Sequence, residues 1–496
     1  MPEARLPQQM TAKFVELAIE IATRRPAARI SAIAVLPAQS PVNATPLRRT
    51  LPDLCICILG RMSSAATAPA AQPVRAAPSW SNLQRIAFRL GAAFILLTAL
   101  PELLFPLPFG PEIVKAMRNV WVAVVPWVGK HLLHQPKEMT TFGNGDSAFA
   151  YFAVLTYALV SLGVGLVWTL LDRRRTEYST LYYWLRACVR FSLAWSLLIY
   201  GTVKLFQVQF PAPPLTSLVL PFGELTPHGL LWNYMGFSRT YQVFAGGVEC
   251  LGALLLFWRR TTTLGALILV GALTNVLMTN IGYGESVKVI AARLLLLAVF
   301  LTLPDLRRLL DVLVLHRSTD AAQAEGPVWH WPWMGSVAFA AKLALAAYLV
   351  GSTGVRAYEL AKRLQDPAKR PPLYGQYRVQ RFVENGQEVA TDASRRWEMV
   401  AFDGVSQTYR TAVIRRADEH WEQFEATYDQ ARQTVTIVDE NDFKRKTALT
   451  YTRPSADEVV LSGSWDKEPI EITLRRLPDP MFPLLNPEYR NWIRRW

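Results

Sequence analysis

The stretch TTLGALILVGALTNVLMTNIGYGESVKVIAARLLLLAVFLTL, residues 262–303, decides the fold. It holds two long apolar runs, 262–281 and 285–303, joined by a short polar link. Crossing the hydrocarbon layer of a bilayer takes about 20 mostly apolar residues, so each run is long enough. Searching outward by the same rule finds five more runs: about 84–105, 148–171, 187–206, 240–258 and 333–353. Seven spans are therefore expected. Residues 112–134 are apolar but broken by Lys115, Arg118 and Pro126. They read as an interfacial or re-entrant helix, with a core helix as the other reading.

Composition agrees with a membrane chain. Of 496 residues 51% are hydrophobic and 19% charged, with a formal net charge of +14. The excess is uneven: residues 371–496 carry 18 basic and 20 acidic side chains, residues 1–370 carry 35 and 19. Positive charge confined to the apolar part points to basic loops on one side of a membrane and away from nucleic acid. Arg75, Arg85 and Arg89 flank the first run. Arg173–Arg175, Arg259-Arg260 and Arg307-Arg308 follow the second, fourth and sixth. With seven spans all four clusters fall on one side, expected to be cytoplasmic, and the C-terminal part lies outside. Arg356, Lys362 and Arg363, beyond the last span, run against that bias.

Residues 1–80, rich in Ala, Pro and Arg, read as disorder or as an extension upstream of a start at Met62, with residues 1–61 dispensable. Residues 81–180 then hold the first two spans and the interfacial helix, 181–317 a four-helix bundle, and 318–370 the last span and a linker. In 371–496 apolar and polar residues alternate in eight short runs: 374–383, 396–402, 407–415, 421–428, 434–439, 447–452, 458–465 and 470–475. Turn signals such as Glu384-Asn385-Gly386 separate them. Regular short strands of this kind suggest an antiparallel sandwich or a lipocalin-like eight-stranded barrel.

Charged groups inside spans are expensive and ask for an explanation. Glu249 lies nine residues below the outer end of its run at Thr240, and Arg293 eight below Glu285. Both are then roughly 12–14 Å deep, and the two are expected to pair. The pair reads either as the floor of a polar pocket or proton relay, or as a structural ion pair. Lys204, Asn275, Asn280 and Lys288 gather towards the same end and complete the candidate pocket, although both lysines could instead snorkel to the interface. Glu285 and Lys288, three apart, can pair with each other. Gly246, Gly247, Gly252, Gly265 and Gly271 read as close-packing positions. His131 and His134 have no third ligand nearby, and the Cys55-x-Cys57 pair lacks zinc-site spacing. There is no pair of histidines placed for haem, no phosphate-binding glycine loop and no nucleophile triad.

Residues 200–315 carry more specific text. Tyr200-Gly201-x-x-Lys204 is followed by Gln209-Phe210-Pro211, then Trp232-x-x-Met235-Gly236. Phe244-Ala245-Gly246-x-x-Glu249, Arg260-Thr261-Thr262, Leu264-Gly265-Ala266-Leu267 and Asn280-x-x-Tyr283 come next, and Leu303-Pro304-Asp305-x-Arg307-Arg308 closes the stretch. Upstream stands Gly143-Asn144-Gly145-Asp146. In these motifs the chain resembles the DoxX-like family of bacterial membrane proteins, strongly over roughly 84–317. The resemblance implies a four-helix membrane bundle, here spans three to six, in the bacterial inner membrane. The family takes its name from a subunit of a thiosulfate:quinone oxidoreductase. That makes a quinone a candidate ligand and a membrane redox protein a candidate partner.

Two functions are therefore expected in competition. One is a redox-linked membrane protein binding a quinone or another lipophilic molecule in an apolar cavity lined by Glu249 and Arg293. The other is a non-enzymatic anchored scaffold whose outer β-domain takes a ligand or a partner. A barrel filled by Trp397, Phe424 and Trp465 would favour a partner surface over ligand carriage.

Overall fold

A computed structural model describes residues 80–132, 134, 139, 145–319, 332–406, 409–439, 442 and 445–485. The expectations for residues 1–79, including the start at Met62 and the Cys55–Cys57 pair, lie outside the described residues.

Ten α-helices precede the sheet among the described residues: α1 (Asn82–Leu104), α2 (Gly110–His131), α3 (Ala148–Leu171), α4 (Ser179–Leu205), α5 (Pro227–Phe237), α6 (Arg239–Leu256), α7 (Thr262–Gly282), α8 (Lys288–Thr302), α9 (Leu306–Leu313) and α10 (Pro332–Leu364). Six stretches are long and apolar enough to cross a membrane: α1, α3, α4, 259–282, 288–313 and 333–364. The expected seventh, α6, falls short. Its 18 residues include Arg239, Gln242 and Glu249. It nevertheless packs inside the bundle, with Glu249 met by Lys204 of α4. The span expected at 187–206 begins earlier, at Ser179, and the last continues to Leu364 in place of the expected linker. The 112–134 segment is α2, not among the six, packed along α1 and α3.

The middle of the bundle is α4, which packs against α1, α6, α8 and α10. Its buried residues run almost continuously from Ser192 to Leu198. α6 lies antiparallel to it: Arg190 meets the carbonyl of Leu256, and Lys204 meets Glu249. Glycines allow the approach. A Cβ on Gly201 would stand 2.5 Å from Cys250 Sγ, one on Gly246 2.5 Å from the Gly201 oxygen, and one on Gly265 2.8 Å from the Gly252 oxygen. This is the close packing expected of Gly246, Gly252 and Gly265, whereas Gly247 and Gly271 face open space.

Among the described residues, members of all four arginine clusters converge on one end. Arg85 donates to the carbonyl of Arg175 and Arg89 to that of Asp172, while Arg259 lies over the Tyr183 ring. Asp305 joins Thr263 to Arg308 there. The loop after α4, helix α5 and the 283–287 turn form the other end.

Residues 375–476 form a closed antiparallel barrel of eight strands: β1 (Gly375–Glu384), β3 (Trp397–Ser406), β4 (Tyr409–Arg416), β5 (Trp421–Asp429), β6 (Thr434–Asp439), β7 (Lys446–Ser455), β8 (Glu458–Trp465) and β9 (Glu468–Arg476). Each strand pairs with the next, β9 closes onto β1, and β2 (Gln387–Glu388) is a short arm on β1. The sequence periods locate all eight strands, most ends falling within a few residues. The interior is filled: Trp397, Phe424 and Trp465 meet edge to face, centroids 4.8–5.4 Å apart, among Phe382, Ile414, Leu461 and Ile472. Arg445 closes that mouth by pairing with Glu422, Asp439 and Asp466.

The barrel sits on the loop after α4. Val219 and Leu220 cover Met399, Ala401 and Val413 on the outer face of β3 and β4, with Leu477 beside them. Asp403 accepts from the Leu215 N–H at 2.6 Å, and Gln376 Nε2 donates to the Leu215 carbonyl at 3.1 Å. Burial raises the Asp403 carboxyl above its ordinary value, against the backbone N–H groups that hydrogen-bond it.

Candidate functional site

The polar residues of the bundle collect at the barrel end. Ser238 caps α6 through the N–H of Tyr241, and the inward face of α6 then presents Gln242, Gly246, Glu249, Ala253 and Leu256. That spacing of four, three, four and three keeps one helical face against α4 and α7. Glu249 on this face is 3% exposed and Lys204 on α4 is 6% exposed. Lys204 Nζ donates to both carboxylate oxygens, at 2.9 and 2.8 Å.

The expected Glu249–Arg293 pair does not form. Helices α6 and α8 flank α7 and do not pack on each other, so equal depth does not bring the two groups together. Arg293 Nη2 instead pairs with Glu102 Oε1 on α1, and its Nη1 donates to the Thr98 carbonyl at 2.9 Å. Pro101, which has no N–H to give, lies inside the last turn of α1, next to Glu102. Lys204 is likewise no snorkelling lysine, because Glu249 holds it inside. Lys288 Nζ is taken by Asp146 at 3.2 Å and by the Glu285 carbonyl at 2.7 Å, so its link to Glu285 uses the backbone and not the carboxylate. Asp146 also accepts the N–H groups of Lys288 and Val289, capping α8 from the loop before α3. Asn280 is buried at this end, while Asn275 faces outward and bonds Thr279.

The Glu102–Arg293 pair differs from the sealed Lys204–Glu249 pair in three respects. Its side chains are 23% and 27% exposed, so the pair reaches the bundle surface. Glu102 Oε2 and Arg293 Nε are both without a hydrogen-bond partner. Tyr157 and Tyr200 stand within electrostatic reach of both charges, and Tyr200 also senses Glu249. The pair thus leaves one donor and one acceptor buried and unpartnered, with two phenols in electrostatic reach among apolar helices.

Further out, Gln209 Oε1, Gln242 Oε1 and Asn280 Nδ2 are buried without partners, Gln242 being 1% exposed. Buried polar atoms of this kind are normally satisfied by water or a ligand. At the rim His228 Nδ1 and Trp232 Nε1 each reach Glu285 Oε2 at 2.9 Å, with the two rings stacked. Burial alone would raise the Glu285 carboxyl. The bonds from His228 and Trp232 outweigh it and hold the group below its ordinary 4.5.

Glu102 was not among the expected site residues. Its signal was a carboxylate inside the first apolar run, directly after a proline. An apolar furrow runs along α3 from Gly163 to Leu171, and a second concavity lies on the barrel.

No family model matches the chain, and no solved structure matches it. A curated relative, the uncharacterized protein YwoB of Bacillus subtilis strain 168, is 27% identical over 135 residues, which is 25% of this chain and 80% of YwoB.

Proposed function

We propose that this is a DoxX-like multi-pass protein of the bacterial inner membrane that holds the polar head of a quinone or a similar lipophilic molecule, within a redox-linked membrane system. The observation that carries the reading is the partly exposed Glu102–Arg293 pair with its two buried, unpartnered atoms, a donor and an acceptor. A quinone carbonyl accepts hydrogen bonds, and its reduced hydroxyl donates them. Arg293 Nε–H and the Tyr157 and Tyr200 hydroxyls supply donors, and Glu102 Oε2 supplies an acceptor. The chemistry such a molecule brings is reversible two-electron, two-proton transfer, with electrons from a membrane redox partner. The chain's own groups orient the head and keep a carboxylate beside it. The arginine-rich end then faces the cytoplasm and the barrel lies outside. Absorption spectra and mass spectrometry of lipids extracted from the purified protein test the reading. A co-purifying quinone is the expected result.

The filled barrel supports a second reading, a membrane-anchored scaffold whose outer domain binds a partner protein. It predicts a protein that purifies without any lipophilic ligand.

A further inference from the structure

The arginines of the barrel are almost all engaged. Arg381, Arg395, Arg415, Arg416, Arg432 and Arg445 pair with carboxylates, and Arg396 and Arg453 donate to carbonyls. Arg378, Arg475 and Arg476 are different. No side chain among the described residues ion-pairs or hydrogen-bonds with them. Arg378 and Arg475 are also directly opposite one another across β1 and β9, both exposed. Like charges opposed in this way destabilise a sheet unless something lies between them. Glu458 is the other cross-strand neighbour of Arg475, and the two form no ion pair.

All three arginines line one groove of ≈ 760 Å³, with Gln380, Asp457, Asp479 and Leu477 among the other walls. Three cations against two carboxylates leave it positive. Its place is set by its neighbours. Gln376, on the same face two residues before Arg378, bonds Leu215 of the bundle loop, and Leu477 belongs both to the groove and to the apolar contact that seats the barrel. The groove therefore opens beside the bundle end, next to the chain leaving α10 with Lys362, Arg363, Lys369 and Arg370. Lys362 and Arg363 are among the cations that run against the charge bias of the other loops.

We propose that this groove binds a phosphate group between Arg378 and Arg475, presented by phospholipid headgroups at the membrane surface or by a free phosphate ester. Arginine is the side chain best suited to a phosphate, because its planar fork matches two oxygens at once. A headgroup held there fixes the barrel against the bilayer as Asp403 and Gln376 fix it against the bundle.

The test uses the full chain in nanodiscs of phosphatidylglycerol and, separately, of a phosphate-free galactolipid. Thermal unfolding of the barrel is followed in each, and glycerol 3-phosphate is titrated into the galactolipid discs. A lipid source predicts a higher unfolding temperature in phosphatidylglycerol than in galactolipid. A soluble source predicts equal temperatures and saturable stabilisation by glycerol 3-phosphate alone. In either case the double variant Arg378→Gln/Arg475→Gln loses the effect, with binding about tenfold weaker or more, the order expected for a lost charge-assisted contact. The variant Arg381→Gln/Arg395→Gln, with the same charge removed from paired positions, keeps it. Relief of the opposed charges means that Arg378→Gln/Arg475→Gln folds at least as stably as the parent in galactolipid discs. The proposal is overturned if neither source stabilises the parent protein, or if stabilisation survives in the Arg378→Gln/Arg475→Gln variant.

Discussion

Lys204 gives two hydrogen bonds to Glu249, one to each carboxylate oxygen, and both side chains are shut away from the bundle surface. Removing either partner leaves a buried charge alone, which typically costs about 3–5 kcal/mol. Lys204→Met and Glu249→Gln are each expected to destabilise by that order, and the double change to recover much of it. Glu249→Gln with Arg293→Met should instead be additive, since those groups belong to different pairs. Thermal unfolding of the variants in detergent measures both couplings. Strong coupling between Glu249 and Arg293 would contradict the packing described above.

The barrel interior makes a second prediction. Trp465 packs edge to face on both Trp397 and Phe424. Trp465→Ala is expected to cost about 3–5 kcal/mol, as large-to-small changes in filled cores do. Denaturant unfolding followed by far-ultraviolet circular dichroism checks this. A loss below about 1 kcal/mol, the size of a surface change, would mean that the interior is not packed.

Acid sensitivity follows from Glu285. Its folded carboxyl lies below the unfolded value, so ionised Glu285 stabilises the fold above that value. The contribution is lost as pH falls through 4.5 towards the lower folded value. Unfolding temperature against pH should therefore drop more steeply in this acid range for the parent than for Glu285→Gln. Parallel curves would show that Glu285 does not contribute.

Orientation is read from reporter fusions after Leu171, Trp258, Leu303 and Thr353. The first three are expected to report cytoplasm and the last the outer side. A cytoplasmic signal at Thr353 would reverse the position of the barrel.

The barrel was legible residue by residue because its information is local. In β1, Tyr377, Val379 and Phe382 point inward, while Arg378 and Gln380 point outward, and a meander asks only that each strand pair with the next. The membrane helices were legible as apolar runs, except that α6 turns a polar face inward, where Lys204 meets Glu249. Ion-pair choice was not legible. Glu249 and Arg293 match in depth, but depth says nothing of which helices touch. Lys204, a plausible interfacial lysine by position, is drawn inward by Glu249. Glu102 was visible as a charge near the end of a span, yet its importance depends on Arg293 reaching across from α8.

The most direct measurement is a titration of the purified full chain with decylubiquinone, a short-tailed quinone probe, followed by equilibrium binding. The parent protein is expected to saturate. Glu102→Gln and Arg293→Met should each weaken binding about tenfold or more, as expected when a charged hydrogen-bonding partner is lost. The double variant Lys204→Met/Glu249→Gln, outside the Glu102–Arg293 pair, should bind as the parent does. Absent binding to a folded parent protein, or equal affinity in all the variants, would contradict the account.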